Sequence, residues 1–359
     1  MLCWLCVMAL GFPLFALQAP AFHQPMPSST RFWRDYPGTH AAHLPNSRAV
    51  LNHWRPHTAR NFTVAYLGDS GADTQSAQIL GFAARNSDLL VHLGDFDYIN
   101  SPLLWDRMLR FSLGGAGAGR VLWTPGNHDL ESWKLQLYED VWFRNTNMTY
   151  VADHCVGQPM LRWVCTMGGV VHIGAAENLL RIGTERSHSR WFDQQLKRYL
   201  TAPWKVCVLH VVRSRFAPDG RTNRVSWAVF DTCRKHGALI VVAHSHSYAR
   251  TLTLSAFSPA VLLWTTGGET PEPNGIVLSR HQRTTGLIVS GLGGGPPRMA
   301  KNESNVPFYW GGIGYATEKD TTDGGALFCT YSSLDSASCE FRVLNGTVLD
   351  SFQLVTDQS

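Results

Sequence analysis

The sequence predicts a layered α/β fold built from two mixed sheets covered by helices. Three observations carry that expectation. Short apolar, β-favouring runs alternate with helical patterns through much of the chain. Polar, glycine-flanked clusters stand where those runs end, and α/β sheets collect their ligand sites at strand C-termini. The 359 residues are 44% hydrophobic and 16% charged, an ordinary globular balance with material for a sizeable core.

Taken in order, residues 1–22 carry no charged side chain and are strongly apolar. They read as a secretory leader with small residues at Ala19 and Ala21 for cleavage. An uncleaved membrane anchor is the alternative, because about 20 apolar residues can span a bilayer. Residues 23–58, rich in Pro, His, Ser and Arg, read as an extended lead-in, and residues 59–359 as one catalytic domain.

Within that domain Phe62–Leu67 is the first predicted strand, followed by a helix from about Asp73 to Arg85. A strand over Leu89–Leu93, a helix from about Leu103 to Phe111 and a strand over Val121–Thr124 complete the first series. The second series runs through a strand at Val170–Gly174, a helix at Arg190–Leu200 and a strand at Val206–His210. A helix at Val225–His236 and a strand at Leu239–Ala243 close it. The remaining segments, 249–254, 286–291, 325–331, 339–344 and 347–354, are predicted to be extended.

Six cysteines follow the leader, at positions 155, 165, 207, 233, 329 and 339, and an even count after a leader argues for disulfides. Cys155 with Cys165 would close a short loop and Cys329 with Cys339 would staple a hairpin. Cys207 and Cys233 would then pair or sit as small buried hydrophobes. Sequons at Asn61, Asn147, Asn302 and Asn345 agree with export to the secretory lumen or beyond. The formal charge of +4 comes with no Lys/Arg run, so no nucleic-acid partner is expected.

Five polar clusters carry the chemistry: Asp69-x-Gly71, Gly94-Asp95-x-x-Tyr98, Gly126-Asn127-His128-Asp129, His210, and His244-x-His246. Carboxylate, amide, phenol and imidazole suit Fe, Zn or Mn, and the set provides the seven or eight ligating atoms that two metals about 3.5–4 Å apart require. The glycines let the backbone turn sharply or approach closely.

These blocks, in this order and spacing, resemble the calcineurin-like metallophosphoesterase superfamily from about Thr63 to Arg250. Tyr98, three residues after Asp95, resembles the purple acid phosphatases within it. A weaker likeness continues through Gly291–Pro297 and into Val343–Asp350, which resembles the last hairpin of the family. The resemblance implies a four-layer α/β/β/α sandwich and hydrolysis of a small-molecule phosphate ester. It implies that Asp69, Tyr98 and His246 hold Fe(III), that Asn127, His210 and His244 hold Zn, Mn or Fe(II), and that Asp95 bridges them. His128 would touch the phosphate and the leaving oxygen, and Asp129 would accept a hydrogen bond from His128.

The chain departs from the family at Ala243, where a glycine is usual, and at Cys207, where valine is customary. Arg213 and Arg215 follow His210 where the family often has histidines, and a guanidinium suits phosphate oxygens. The N-terminal β-sandwich of the large plant-type enzymes is expected to be absent. Asp97 is expected to be a solvated loop carboxylate, His92 and His172 to be packed histidines, and Gly291–Pro297 to be a tight loop near the site.

Overall fold

The computed structural model describes residues 61–115, 117–129, 132–158, 160–176, 185–220, 227–262, 274–296, 310–314 and 324–357. The leader, the lead-in, Asn302 and Pro297 lie outside them.

Among the described residues the apolar runs pair into two large mixed sheets, as the sequence predicts. The first sheet has seven strands. Its parallel part is β1 (Phe62–Leu67), β2 (Leu89–His92) and β3 (Val121–Trp123). It continues antiparallel from β1 into β15 (Gly325–Tyr331), β16 (Ser336–Val343) and β17 (Val348–Thr356), and β12 (Gly275–Leu278) closes the edge. The hairpin resembling the family's last one is the β16–β17 turn.

The second sheet has eight strands. At its centre β6 (Val170–Ala175), β7 (Trp204–Val208), β8 (Leu239–Val242) and β13 (Leu287–Ser290) run parallel. Antiparallel strands flank them: β5 (Arg162–Met167) and β4 (Cys155–Gln158) on one side, β9 (Tyr248–Thr251) and β14 (Trp310–Gly314) on the other.

The period-2 side-chain alternation explains why the central strands read as continuous apolar runs. Val206 and Val208 of β7, Leu239 and Val241 of β8, and Ile288 of β13 join a core shared with β1, β2 and β15 of the first sheet. Their alternates Cys207, Ile240, Val242, Leu287 and Val289 join a second core, with Phe192 and Leu196 from helix α5 (Glu185–Arg198) and Val229 and Phe230 from helix α6 (Trp227–Lys235). Helices α1 (Thr74–Arg85) and α2 (Pro102–Leu113) pack on the first sheet's side. Asp73 caps α1 by accepting from Ser76 N at 2.8 Å. Gly114, at φ 82°, ends α2 in the left-handed conformation.

The sequence reading predicts no element between Asp129 and Val170, yet this stretch holds helices α3 (Ser132–Asn145) and α4 (Met148–His154) and the β4–β5 hairpin. Tyr138, Val141, Trp142 and Asn145 form the buried stripe of α3 at helical spacing. Leu137, which is exposed, and the half-buried Phe143 interleave with that stripe and blur its period. Cys155 and Cys165 stand opposite each other in the hairpin and are bonded, as are Cys329 and Cys339 across β15–β16. Cys207 pairs with Cys233 and ties β7 to α6, which resolves the open alternative in favour of a bond. Asn61, Asn147 and Asn345 are exposed. No helix among the described residues is long and apolar enough to cross a membrane.

Candidate metal centre

Strands β1, β2 and β3 of one sheet and β7 and β8 of the other end at a common edge. Each delivers a polar side chain two to four residues past its last residue. The edges are tied together: Gly68 N donates to Ser290 O at 2.9 Å, and the Ser290 hydroxyl donates to Tyr66 O at 2.9 Å. The backbone here is bent hard. Asp69, Asp95, Tyr98 and His244 have φ of 58°, 55°, 56° and 68°, in the left-handed region that non-glycine residues avoid at about 1–2 kcal/mol each. Four such residues, each a sequence-predicted ligand, gather at this edge.

Two groups of donors form. In the first, the Tyr98 hydroxyl donates to Asp69 Oδ1 at 2.9 Å and lies 2.7 Å from His246 Nε2. His246 Nδ1 donates to the carbonyl of Pro296 at 2.7 Å, which leaves Nε2 as the donor atom aimed at Asp69 and Tyr98. In the second, His210 Nε2 lies 3.3 Å from Asp95 Oδ2 and 3.1 Å from Asn127 Oδ1. His210 Nδ1 donates to Leu93 O at 2.7 Å, fixing that ring in the same way. One ligand atom each from Asp95, His210 and His244 lies within 4.8 Å of the others. The other Asp95 oxygen accepts from His128 N at 2.9 Å.

The electrostatics fit metal ions. Asp69, Asp95, His210 and His246 are at most 2% exposed. Burial works against charge on His210, yet the Asp95 carboxylate beside it pushes it up to about 9. Burial likewise works against the Asp95 charge, and His210 still holds that carboxyl below the usual range. Burial first, then the Asp69 and Asp95 charges, push the Tyr98 phenol well above its ordinary value. Hard oxygen donors and locked imidazoles crowded this closely around a shared space are what a pair of cations would neutralise, and the residues fit that group.

The glycines make this approach possible. A Cβ on Gly126 would collide with the Asp95 carboxylate and amide, and one on Gly291 with Ser245 O and Asp69 Oδ2. Ala243 is not among the left-handed residues, so its methyl is accommodated. Gly68 faces it and would meet its Cβ at 2.6 Å if it carried one of its own.

Two expectations are corrected. Asp129 does not hydrogen-bond the His128 ring. Its oxygens accept from the main-chain N–H of Asp95, Phe96 and Gly126 at 2.9, 3.0 and 2.7 Å, so it clamps the loops that carry Asp95 and Asn127 together. Burial, with Asp95 nearby, pushes its carboxyl up against those three donors. Asp97 is not solvated: it is 2% exposed and accepts from the N–H of Ile99, Asn100 and Ser101 and from the Tyr138 hydroxyl. It braces the loop that carries Tyr98, which is why a charged side chain is retained in a buried position.

The packed histidines and the glycine-rich loop stand where the sequence places them. His92 and His172 are buried packed histidines, both lowered to about 3, first by burial. His92 accepts from Gly94 N at 3.2 Å and lies 2.8 Å from Ser70 Oγ, bracing two site loops from below. The loop Gly291–Pro296 wraps the first donor group: Gly293 N donates to Gly68 O and Gly295 N to Asp69 O. Its carbonyl at Pro296 and the one at Leu93 are functional groups that sequence reasoning missed, since a main-chain oxygen leaves no residue-type signal. His128 is exposed at the mouth, its ring 4.8 Å from that of Tyr98. The Arg213 guanidinium lies over Trp227 at 4.4 Å, and Arg215 is exposed.

Residues 62–248 match the family model of calcineurin-like phosphoesterases. Among solved structures, the chain resembles a purple acid phosphatase, PPD1, from yellow lupin (Lupinus luteus) seeds, with TM-score 0.58 and 16% identity over 85% of this chain and 55% of that one. The chain thus spans about half the length of the lupin protein. It also resembles PhoD, with TM-score 0.53 and 11% identity over 85% of this chain and 72% of that one. GAP50, described as the anchor in the inner membrane complex of Plasmodium, has TM-score 0.50 and 13% identity over 84% of this chain and 92% of that one. No curated protein sequence matches it significantly. At these identities the structural likenesses speak to the fold.

Proposed function

Because the chain belongs to the calcineurin-like phosphoesterase family, we propose that it is an exported two-metal hydrolase of phosphate monoesters, of the purple-acid-phosphatase type. The observation that carries this reading is the Tyr98 hydroxyl, set 2.9 Å from Asp69 Oδ1 and 2.7 Å from His246 Nε2. We assign Asp69, Tyr98 and His246 to Fe(III), Asn127, His210 and His244 to Zn, Mn or Fe(II), and Asp95 to both. When bound, the ions would supply positive charge for the phosphoryl oxygens and a water of lowered pKa as nucleophile.

The chain's own groups do the rest. Asp129 and Asp97 hold the loops of Asp95, Tyr98 and Asn127 rigid, so the donors are set before any ligand arrives. The Pro296 and Leu93 carbonyls hold protons on the Nδ1 atoms of His246 and His210. His128 stands exposed at the mouth, with its main chain fixed on Asp95, and is assigned contact with the phosphate and protonation of the leaving oxygen. Arg213, whose guanidinium lies over Trp227, and the exposed Arg215 are both assigned phosphate contact. Export agrees with three disulfides, and with three sequons exposed among the described residues.

The test is hydrolysis of p-nitrophenyl phosphate and of its bis-ester by the purified, metal-loaded protein and by its Asn127→Ala and His128→Ala variants. The reading expects metal-dependent turnover of the monoester that exceeds that of the diester and falls at least about 100-fold in either variant. A faster diester would move the protein to a diesterase role. No turnover of either ester after loading would overturn the catalytic assignment.

A further inference from the structure

A second polar site lies far from the strand-end centre. Helices α5 and α6 and the turn before β13 enclose an open cleft of about 550 Å³, a volume typical of small-ligand sites. Arg186, Ser189 and Arg190 line it from α5, Thr232 and Lys235 from α6, and Arg283 from the turn. The cleft sits by the start of β8, whose other end leads to His244. Five residues of extended chain separate Leu239 from His244, about 17 Å at 3.3 Å each.

The charges in it are unevenly satisfied. Asp193, the carboxylate in the lining, already pairs with Lys197 at 2.6 Å and His236 at 2.9 Å. Lys235 pairs with Asp231 at 2.7 Å. Arg186, Arg190 and Arg283 are exposed and make no ion pair among the described residues. Three arginines from two separate elements, unpaired with any carboxylate among the described residues, thus line one cavity. Like charges gathered this way repel, and an anion in their midst removes that repulsion. Arg283 is also held at φ 55°, in the left-handed region, and its carbonyl accepts from Arg234 Nη1 at 2.6 Å. The turn is therefore anchored to the end of α6 with its guanidinium on the cleft.

We propose that this cleft binds an anionic sugar, a sulfated or phosphorylated saccharide unit, at a site separate from the metal centre. Guanidinium groups match sulfate and phosphate oxygens with two parallel hydrogen bonds. The Ser189 and Thr232 hydroxyls bond each other at 2.9 Å and the Ala228 carbonyl, which uses their protons and leaves their lone pairs, like those of the Asp193 carboxylate, to accept from sugar hydroxyls. Among the described residues no Phe, Tyr or Trp lines the cleft, and the His236 ring is held by Asp193, so a nucleobase finds little stacking face there, which disfavours single-stranded nucleic acid. The cations come from residues 186, 190, 235 and 283, so no run of basic residues announces the site in the sequence. The proposal does not depend on the phosphoesterase reading.

Calorimetric titration of the whole protein with a sulfated tetrasaccharide, its unsulfated counterpart, a sugar monophosphate and a single-stranded oligonucleotide tests it. The sulfated tetrasaccharide is expected to bind, more weakly as salt rises, and at least about tenfold more weakly to the Arg190→Ala/Arg283→Asn double variant. The Asn substitution suits the left-handed backbone at residue 283, and Arg190→Glu gives an independent variant on a helix surface. The same ligand should bind His210→Ala, altered at the metal centre, as it binds the wild type. Comparable binding of the sugar monophosphate would identify a small phosphorylated sugar as the source of the anion, whereas its absence would identify the sulfated glycan. Equal binding of sulfated and unsulfated sugar, tighter binding of the oligonucleotide, or binding unchanged in both arginine variants would overturn the proposal.

Discussion

Replacing Asp97 by Asn should loosen the Tyr98 loop without touching a metal ligand. Asp97 receives the N–H of Ile99 and Asn100 on one oxygen at 3.2 and 2.8 Å, and the N–H of Ser101 and the Tyr138 hydroxyl on the other at 2.9 and 2.8 Å. Asparagine keeps one oxygen, so whichever way its amide points, an NH₂ group meets at least one N–H that cannot accept. The surviving bonds also lose their charge assistance. A hydrogen bond to a charged group contributes about 1.5–3 kcal/mol, against about 1 kcal/mol for a neutral one. The combined loss is about 3 kcal/mol, which for a domain of this size lowers Tm by about 5 °C. Thermal unfolding of the metal-free protein measures it, with Tyr138→Phe as a milder companion expected to cost about 1.5 kcal/mol. An Asp97→Asn protein with Tm within about 1 °C of wild type would refute the claim that this carboxylate braces the loop.

Other consequences follow from the same structure. Metal must displace the proton that Asp95 holds on His210, so affinity should rise about tenfold per pH unit up to about 9 and then level, as titration of the apoprotein at several pH values will show. The sign for the apoprotein is opposite. A histidine raised from 6.5 to about 9 contributes stability that is full below about pH 6.5 and lost as pH rises through 9, which denaturant midpoints across that range will register. Gly126→Ala puts a methyl into Asp95 and should lower bound metal below one ion per chain by elemental analysis, with far-ultraviolet dichroism unchanged. Removing the Cys207–Cys233 bond, which closes a loop of 26 residues, should cost about 3 kcal/mol and lower Tm by about 5 °C.

Much of this architecture was legible before any coordinates. Strands with both faces buried announce themselves as unbroken apolar runs, and β7 and β8 do so because each face meets a different core. The polar clusters that follow them stood out because Asp, Asn and His are out of place at the ends of such runs. What escaped notice has physical causes. Helix α3 carries apolar residues outside its buried stripe, so its period is blurred. Asp97 looked like any loop carboxylate, since burial under four donors depends on Tyr138 arriving from 41 residues away. Asp129 was given a partner from its neighbour in sequence, whereas its three real partners are amides of loops brought together by the sheet. The arginine cleft gathers three segments that no window of sequence contains.

The central claim is that Tyr98 is a metal ligand, and the visible spectrum of the purified protein, recorded with its metal content, tests it most directly. Bound iron with a broad visible absorption that disappears in Tyr98→Phe, while the iron remains, is the predicted result. Two bound metals with no such band, or a band that survives Tyr98→Phe, would contradict it.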